Sequence, residues 1–374
     1  MPQSYEIIVN YLYLCSEKVQ IIKFKTQSSK FKVKYPAKTD IAVLLLFFTR
    51  SDTFQQVFDA VRQARPSKLL LYQDGPRGER DLAGIEACRK IVSDENIDWE
   101  CEVHRQYLSH NQGCDPSGFL SHQWAFSLAD KVIVLEDDVV PSQSFFPFCK
   151  EMLDRYEHDE RISMIAGFNI DEVTTDCAGD SYFFTTAFSI WGWASWRRVA
   201  QRWDSTYGFM RNPDTLRKLE TVARERHLRS DMLQMFRDHS QSGKEYFETI
   251  YWADMLLHDS LAIMPQKNQI NNIGLMADST HFSAELKTTP HRLRRIFTMQ
   301  RHELTFPLCH PKEVVEDKAY LERLYKVNAW NHPWIKIGNS LEELLLNLRY
   351  GQFRHIWQSL TRRVRKWTGT ERHA

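Results

Sequence analysis

The 374-residue sequence has no glycine-rich phosphate loop: neither GxGxxG nor GxxxxGK(S/T) occurs in it. It has no CxxC pair either. Its cysteines, Cys15, Cys88, Cys101, Cys114, Cys149, Cys177 and Cys309, are odd in number and scattered, so they indicate neither a disulfide framework nor a structural zinc site and fit a reducing compartment. No uninterrupted apolar segment reaches spanning length, and the start of the chain lacks a charged region followed by an apolar core. The expectation is a soluble cytoplasmic protein or one bound peripherally to the inner face of the plasma membrane. No sign of charge dominates: 49 Lys and Arg face 48 Asp and Glu, so no whole-molecule field argues for nucleic acid. What is plentiful is apolar and aromatic residues, at 43% and 13%, enough for the core of a large α/β domain with an appendage, or of two domains.

The most informative stretch is KVIVLEDDVV, Lys131 to Val140. Val132, Ile133, Val134 and Leu135 read as a strand buried on both faces, as in a parallel sheet covered by helices. Glu136, Asp137 and Asp138 follow at its carboxyl end, where open α/β sheets bind ligands. Such a triplet is either a solvated turn or a site that needs a facing cation, for which a hard divalent metal serves. Pro141 and Ser142, then Phe145, Phe148, Cys149 and Met152 at helical spacing, predict a tight strand-to-helix turn with Ser144 as N-cap.

Along the chain, Ile22, Phe24, Phe31, Val33 and Tyr35 alternate with lysines, which predicts a β-hairpin within a basic extension over 1–38. Its basic face is either solvated or set against an anionic lipid or carrier. Ile41 to Phe48 is a second buried strand. Asp52 and Gln55 suit a capping box for a helix striped by Phe54, Val57, Phe58 and Val61, and Leu69 to Tyr72 completes a parallel crossover. Asp74 and Arg77, in QDGPR, are either turn residues or partners for a ribose and a phosphate. A helix near Asp81 to Ser93, a strand at Trp99 to Val103 and a helix carrying Phe119, Leu120, Trp124 and Leu128 continue the alternation of a nucleotide-binding half-domain. Without a glycine loop, a metal has to neutralise a bound diphosphate, which points back to Asp138. Beyond a strand at Ile162 to Ala166, the aromatic segment Tyr182 to Trp196 is either core or a surface that stacks on sugar, with Gly192 permitting close approach. Residues 209–243 predict inserted helices, and Asp254 sits in an apolar helix start as either a helix charge or a base.

The signatures FFTR (47–50), YQDGPR (72–77), NQGC (111–114), LEDDVVPS (135–142), SIWGWASW (189–196), NNIG (271–274) and STHF (279–282) occur in an order that resembles glycosyltransferases of the GT-A fold. In particular they resemble bacterial family-2-like sugar transferases sharing motifs with the Golgi mannoside N-acetylglucosaminyltransferase. The resemblance implies a mixed, mainly parallel sheet flanked by helices over 39–305. It also implies transfer of a hexosyl or N-acetylhexosaminyl group, with inversion, from a nucleotide-sugar donor, UDP-sugar first, to a glycan or lipid-linked acceptor in surface polysaccharide synthesis. It places Mn²⁺ or Mg²⁺ on Asp138, with His281 as a further ligand. It implies donor contacts from Thr49, Arg50, Asp74, Arg77, Asn111, Glu136, Asp137, Gly192 and Trp193. The catalytic base falls on Asp254, with Asp259 as its rival. The alternatives are a sugar nucleotidyltransferase and a carbohydrate-binding protein with a degenerate site.

Residues 306–374 form a connector and two helices. Ser340 and Glu343 suit a capping box for a helix striped by Leu341, Leu344, Leu345 and Leu348. A second helix carries Phe353, Ile356, Trp357, Leu360, Val364 and Trp367 against Arg354, Arg362, Arg363, Arg365 and Lys366. Its apolar face either packs on the main domain or lies on an anionic membrane surface.

Overall fold

The β-branched and leucine-rich runs become the middle of an eight-stranded sheet in order β3-β2-β1-β4-β8-β6-β9-β7. A computed structural model describes residues 34–177, 179–274, 286–354, 356–357 and 361. The predicted hairpin, His281 and most of the last basic helix lie outside these residues. The first half of the sheet is β1 (Thr39–Phe47), α1 (Ser51–Ala64), β2 (Pro66–Gln73), α2 (Glu79–Ile91), β3 (Glu102–Tyr107), α3 (Cys114–Leu128) and β4 (Lys131–Glu136). β1 lies parallel between β2 and β4, with Leu44 opposite both Leu70 and Val134. All three are fully buried, each contributing roughly 1.5–3 kcal/mol.

The acids lead next into β5 (Val139–Pro141), then α4 (Phe145–Arg155), β6 (Ile162–Ala166), β7 (Tyr182–Thr185) and β8 (Trp193–Trp196). β8 runs antiparallel between β4 and β6. Short helices α5 (Arg197–Ala200) and α6 (Gly208–Arg211) precede α7 (Pro213–Glu225), α8 (Met232–Gln241) and α9 (Phe247–Leu257). Strand β9 (Leu261–Pro265) re-enters the sheet parallel to β6, and β10 (Ile270–Asn272) pairs with β5 in a small antiparallel ladder. Helices α10 (His291–Thr298), α11 (Lys318–Asn328) and α12 (Pro333–Arg349) follow. The sheet is thus mixed, mainly parallel and flanked by helices, as the resemblance implies, with helices at the C-terminal side.

Five local expectations are corrected. The strand placed at Trp99 begins at Glu102, because Trp99 is a core plug whose indole N–H donates to the Pro66 carbonyl at 2.8 Å, while β3 is an edge strand with little apolar marking. No Asp52–Gln55 capping box forms; the Gln55 amide donates to Asp59 instead at 2.8 Å. The acidic turn leads into β5 and not directly into a helix, and Ser144, which does precede α4, makes no side-chain cap bond. Helix α9 starts at Phe247, which places Asp254 near its end and not at its start. Helix α12 starts at Pro333, a residue preorganised for a first turn, so Ser340 and Glu343 are interior.

Candidate active site

Because β1 and β4 are in register up to Leu46 opposite Glu136, the turns leaving them emerge side by side. That brings Phe48 to Arg50 against the acidic triplet. The Arg50 guanidinium donates to Asp138 Oδ2 at 2.8 Å and pairs with Asp137 Oδ1, while the Phe48 N–H donates to Asp137 Oδ2 at 3.1 Å. Two of the three acids are therefore faced by a cation from the chain itself. Burial works against the charge on Arg50, but the two carboxylates outweigh it and hold the guanidinium above its ordinary value. Burial also pushes Asp137 up to about 6, with Arg50 opposing.

Asp138 is held from behind. Its carbonyl accepts the Ile273 N–H at 2.9 Å, extending the β5–β10 ladder, and a Cβ at Gly274 would stand 2.0 Å from Oδ2. Only glycine fits there. The other carboxylate oxygen, Oδ1, is buried and has no hydrogen-bond partner among the described residues. A lone buried carboxylate oxygen is a ligand position for a hard divalent ion, so the chemistry fits Mn²⁺ or Mg²⁺. Among the described residues no group of three or more His, Cys, Asp or Glu can hold an ion.

Glu136 lies well above the usual carboxylate range, first through burial, then through repulsion from Asp138, Glu248 and Asp137. Glu248 is the residue that reading the sequence missed. It stands in the first turn of α9, and burial, reinforced by Asp115, pushes it up to about 7. Its position is set by its neighbour: the Phe247 ring lies 4.5 Å from that of His122 and so close to Gly118 that a Cβ there would meet it at 2.8 Å. This contact ties the start of α9 to α3, whose own start carries Cys114 and Asp115. Burial drives the caged His122 down to about 3, so it is neutral.

The other expected donor residues divide into two groups. Thr49 stays at the mouth, pressed by α2, since a Cβ at Gly84 would lie 2.7 Å from its carbonyl oxygen. Gly192 (φ +62°) packs by Ile270 and Val139, on the ladder behind Asp138, and has no room for a side chain. Asp74 and Asn111, by contrast, are engaged with each other. The Asp74 carboxylate accepts from Gly75 N (2.8 Å), Asn111 Nδ2 (2.9 Å), Gln112 N (2.9 Å) and Gly113 N (3.1 Å), fixing the loop before α3. Arg77 is paired with Asp81 at 2.8 Å and stacks on Phe48. Trp193 is fully buried, edge-on to His122 and against Tyr251.

Asp254 accepts from Arg202 at 2.9 and 3.2 Å, and His258 Nδ1 lies 3.1 Å away. The group lines a cavity of about 400 Å³ with Asp204, Phe209, Asn212 and Thr215. Asp259 is a surface residue paired with Lys218 at 2.8 Å.

No protein-family model matches the chain, and no curated protein matches it either. Among solved structures it is similar to the glycosyltransferase GlyE of Streptococcus pneumoniae TIGR4, at 10% identity over 80% of this chain and 64% of that one, with a TM-score of 0.31. It is similar to mouse xyloside xylosyltransferase 1 at 10% identity over 58% of this chain and 81% of that one, TM-score 0.31. A UDP-glucose pyrophosphorylase complexed with UDP-glucose is similar at 8% identity over 63% and 94% of the two chains, TM-score 0.30.

Proposed function

We propose that the chain is a GT-A glycosyltransferase that moves a hexosyl or N-acetylhexosaminyl group, with inversion, from a nucleotide-sugar donor, UDP-sugar first, to a hydroxyl of a glycan or lipid-linked acceptor in surface polysaccharide synthesis. The observation that carries this reading is the gathering of four acids and one arginine at the carboxyl ends of β1 and β4, with one buried Asp138 oxygen unpartnered among the described residues and two acids, Glu136 and Glu248, raised towards neutrality. A site that only stabilised the fold would have no use for four neighbouring acids faced by one cation.

In this reading Asp138 holds Mn²⁺ or Mg²⁺, which when bound supplies positive charge for the departing diphosphate. Arg50 pairs with Asp137 and Asp138 and orients both carboxylates. Glu248 takes the proton of the acceptor hydroxyl as its oxygen bonds to the anomeric carbon and the bond to the diphosphate breaks. A carboxyl near 7 suits that task at neutral pH. Asp254, engaged by Arg202 and His258, is assigned to holding α9 in place, and the base moves to Glu248. Thr49 and Glu136 line the donor side, Gly192 backs the ladder behind Asp138, and Asp74 and Asn111 shape the loop before α3.

The test is thermal stability against UDP, GDP, dTDP and CMP compounds, each with and without Mn²⁺, for wild type and Asp138→Ala. A ligand bound only by the folded state raises the midpoint. A nucleotide-selective, Mn²⁺-dependent rise lost in Asp138→Ala supports the reading. No rise with any nucleotide in folded protein ends it, and pyrophosphate release from a nucleoside triphosphate would assign a nucleotidyltransferase.

A further inference from the structure

Helix α12 wears its apolar face outward. Trp334, Ile337, Leu341, Leu344 and Leu348 recur at steps of three and four, the spacing of one helix face, and are 82, 49, 56, 40 and 47% exposed. Leu345 beside them is 66% exposed. The polar side is the one turned to the protein: Asn347 is buried, its amide donating to the Glu343 carbonyl at 2.8 Å, and the Glu342 carboxylate accepts the His291 N–H at 2.8 Å. The apolar surface continues past the helix through Tyr350, Phe353 and Trp357, at 45, 64 and 70% exposure. Basic residues accompany it. Lys336, Arg349 and Arg354 are exposed against one exposed acid, Glu343, and the sequence continues with Arg362, Arg363, Arg365 and Lys366 against a single acid, Glu371.

We infer that α12, with Tyr350, Phe353 and Trp357 after it, lies flat on an anionic lipid bilayer. The Trp, Ile, Leu and Phe side chains enter the headgroup and acyl boundary, and the arginines and lysines meet lipid phosphates. The charge decides between this occupant and the others. A second copy of the chain would bring one basic flank against another. Moreover, the stripe from Trp334 to Leu348 covers about two heptads, where a coiled coil sustains three to four. Spanning is no alternative for α12: it is 17 residues long with Lys336, Glu342 and Glu343 inside it, and among the described residues no helix is long and apolar enough to cross a membrane. This inference rests on the helix surface alone, so it and the transferase reading fail separately.

The test is flotation of the full-length protein with phosphatidylcholine vesicles containing about 30% phosphatidylserine, and with pure phosphatidylcholine, at low and high salt. Wild type is expected to float with the anionic vesicles, less so at high salt, and weakly with neutral ones. The double substitution Leu341→Glu with Leu345→Glu, at exposed positions, is expected to reduce binding about tenfold or more with an unchanged melting midpoint. Arg349→Glu with Arg354→Glu is expected to reduce binding to anionic vesicles only. Sedimentation of wild type and the leucine variant completes the experiment. The inference is overturned by a dimer that the leucine variant dissociates, by the absence of flotation with either vesicle, or by equal, salt-insensitive flotation with both.

Discussion

Replacing Glu248 by Gln has two effects of opposite sign, and their combination tests the placement of the base. In the folded protein Glu248 titrates at about 7 against an ordinary 4.5, because burial, then Asp115, disfavour its ionised form. Glu136, Cys114 and Tyr207 also face it, and each is itself raised in part by the charge of Glu248. An acid raised on folding contributes a penalty that is absent below the unfolded value and grows as pH rises through the folded one. The window is therefore pH 4.5 to 7. A full shift at 1.36 kcal/mol per pH unit gives an upper bound of roughly 3 kcal/mol, and the partial exposure of the side chain brings it to about 1–2 kcal/mol. Gln mimics the neutral form. Urea unfolding of wild type and Glu248→Gln at pH 5 and pH 8 is expected to show little difference at the acid end and a variant about 1–2 kcal/mol more stable at the basic end. Sugar transfer, followed by nucleotide release, is expected to fall by about 10²–10⁴ with a nearly unchanged KM for donor. A variant that is less stable at pH 8, or that retains transfer within about tenfold of wild type, refutes the assignment of Glu248.

Removing Arg50 as Arg50→Met leaves Asp137 and Asp138 unpaired; because the arginine side chain is 26% exposed, the expected cost is roughly 2–3 kcal/mol, read as a lower denaturant midpoint with an unchanged slope. Asp74→Ala orphans four donors around the loop before α3 and is expected to cost about 3 kcal/mol, with a proteolytic cut appearing between Asp74 and Cys114. Gly274→Ala puts a methyl 2.0 Å from Asp138 Oδ2, so Mn²⁺-dependent nucleotide stabilisation should disappear while the apo midpoint moves by only a few degrees. In Asp254→Asn the Arg202 pair is weakened without touching the acid cluster. The outcome expected is lost stability with transfer per folded molecule within about tenfold of wild type, and a larger drop returns the base to Asp254.

What was legible in the sequence is what local pattern dictates. Val132 to Leu135 and Ile41 to Phe47 announce doubly buried strands because every position is apolar, and the acids after them mark the strand end. The helix stripe of Phe54, Val57, Phe58 and Val61 was equally plain. What escaped was set by partners far along the chain. The donors that saturate Asp74 include residues 37 to 39 positions away, so nothing near QDGPR shows that its carboxylate is engaged. Glu248 escaped because the apolar run Ile250 to Leu257 drew the helix start towards Asp254, whereas the structure begins α9 at Phe247. The signal was present in the Phe-Glu-Thr triplet: an acid in the first turn beside an aromatic that needs a packing partner. For α12, leucine spacing gave the stripe correctly, but spacing carries no information about which side of a helix meets the protein.

Helix α9 carries Glu248 at one end and Asp254 six residues on, about 9 Å along the axis at 1.5 Å per residue. One end is wedged against Gly118 and His122 by Phe247, and the other is gripped by Arg202 at the cavity of about 400 Å³. A hydrogen-bonded helix this short behaves as a strut. The pair that fixes Asp254 and the ring that wedges Phe247 therefore act on one helix, and together they set where Glu248 stands along its axis. The cavity and the acid cluster are thus served by one helix.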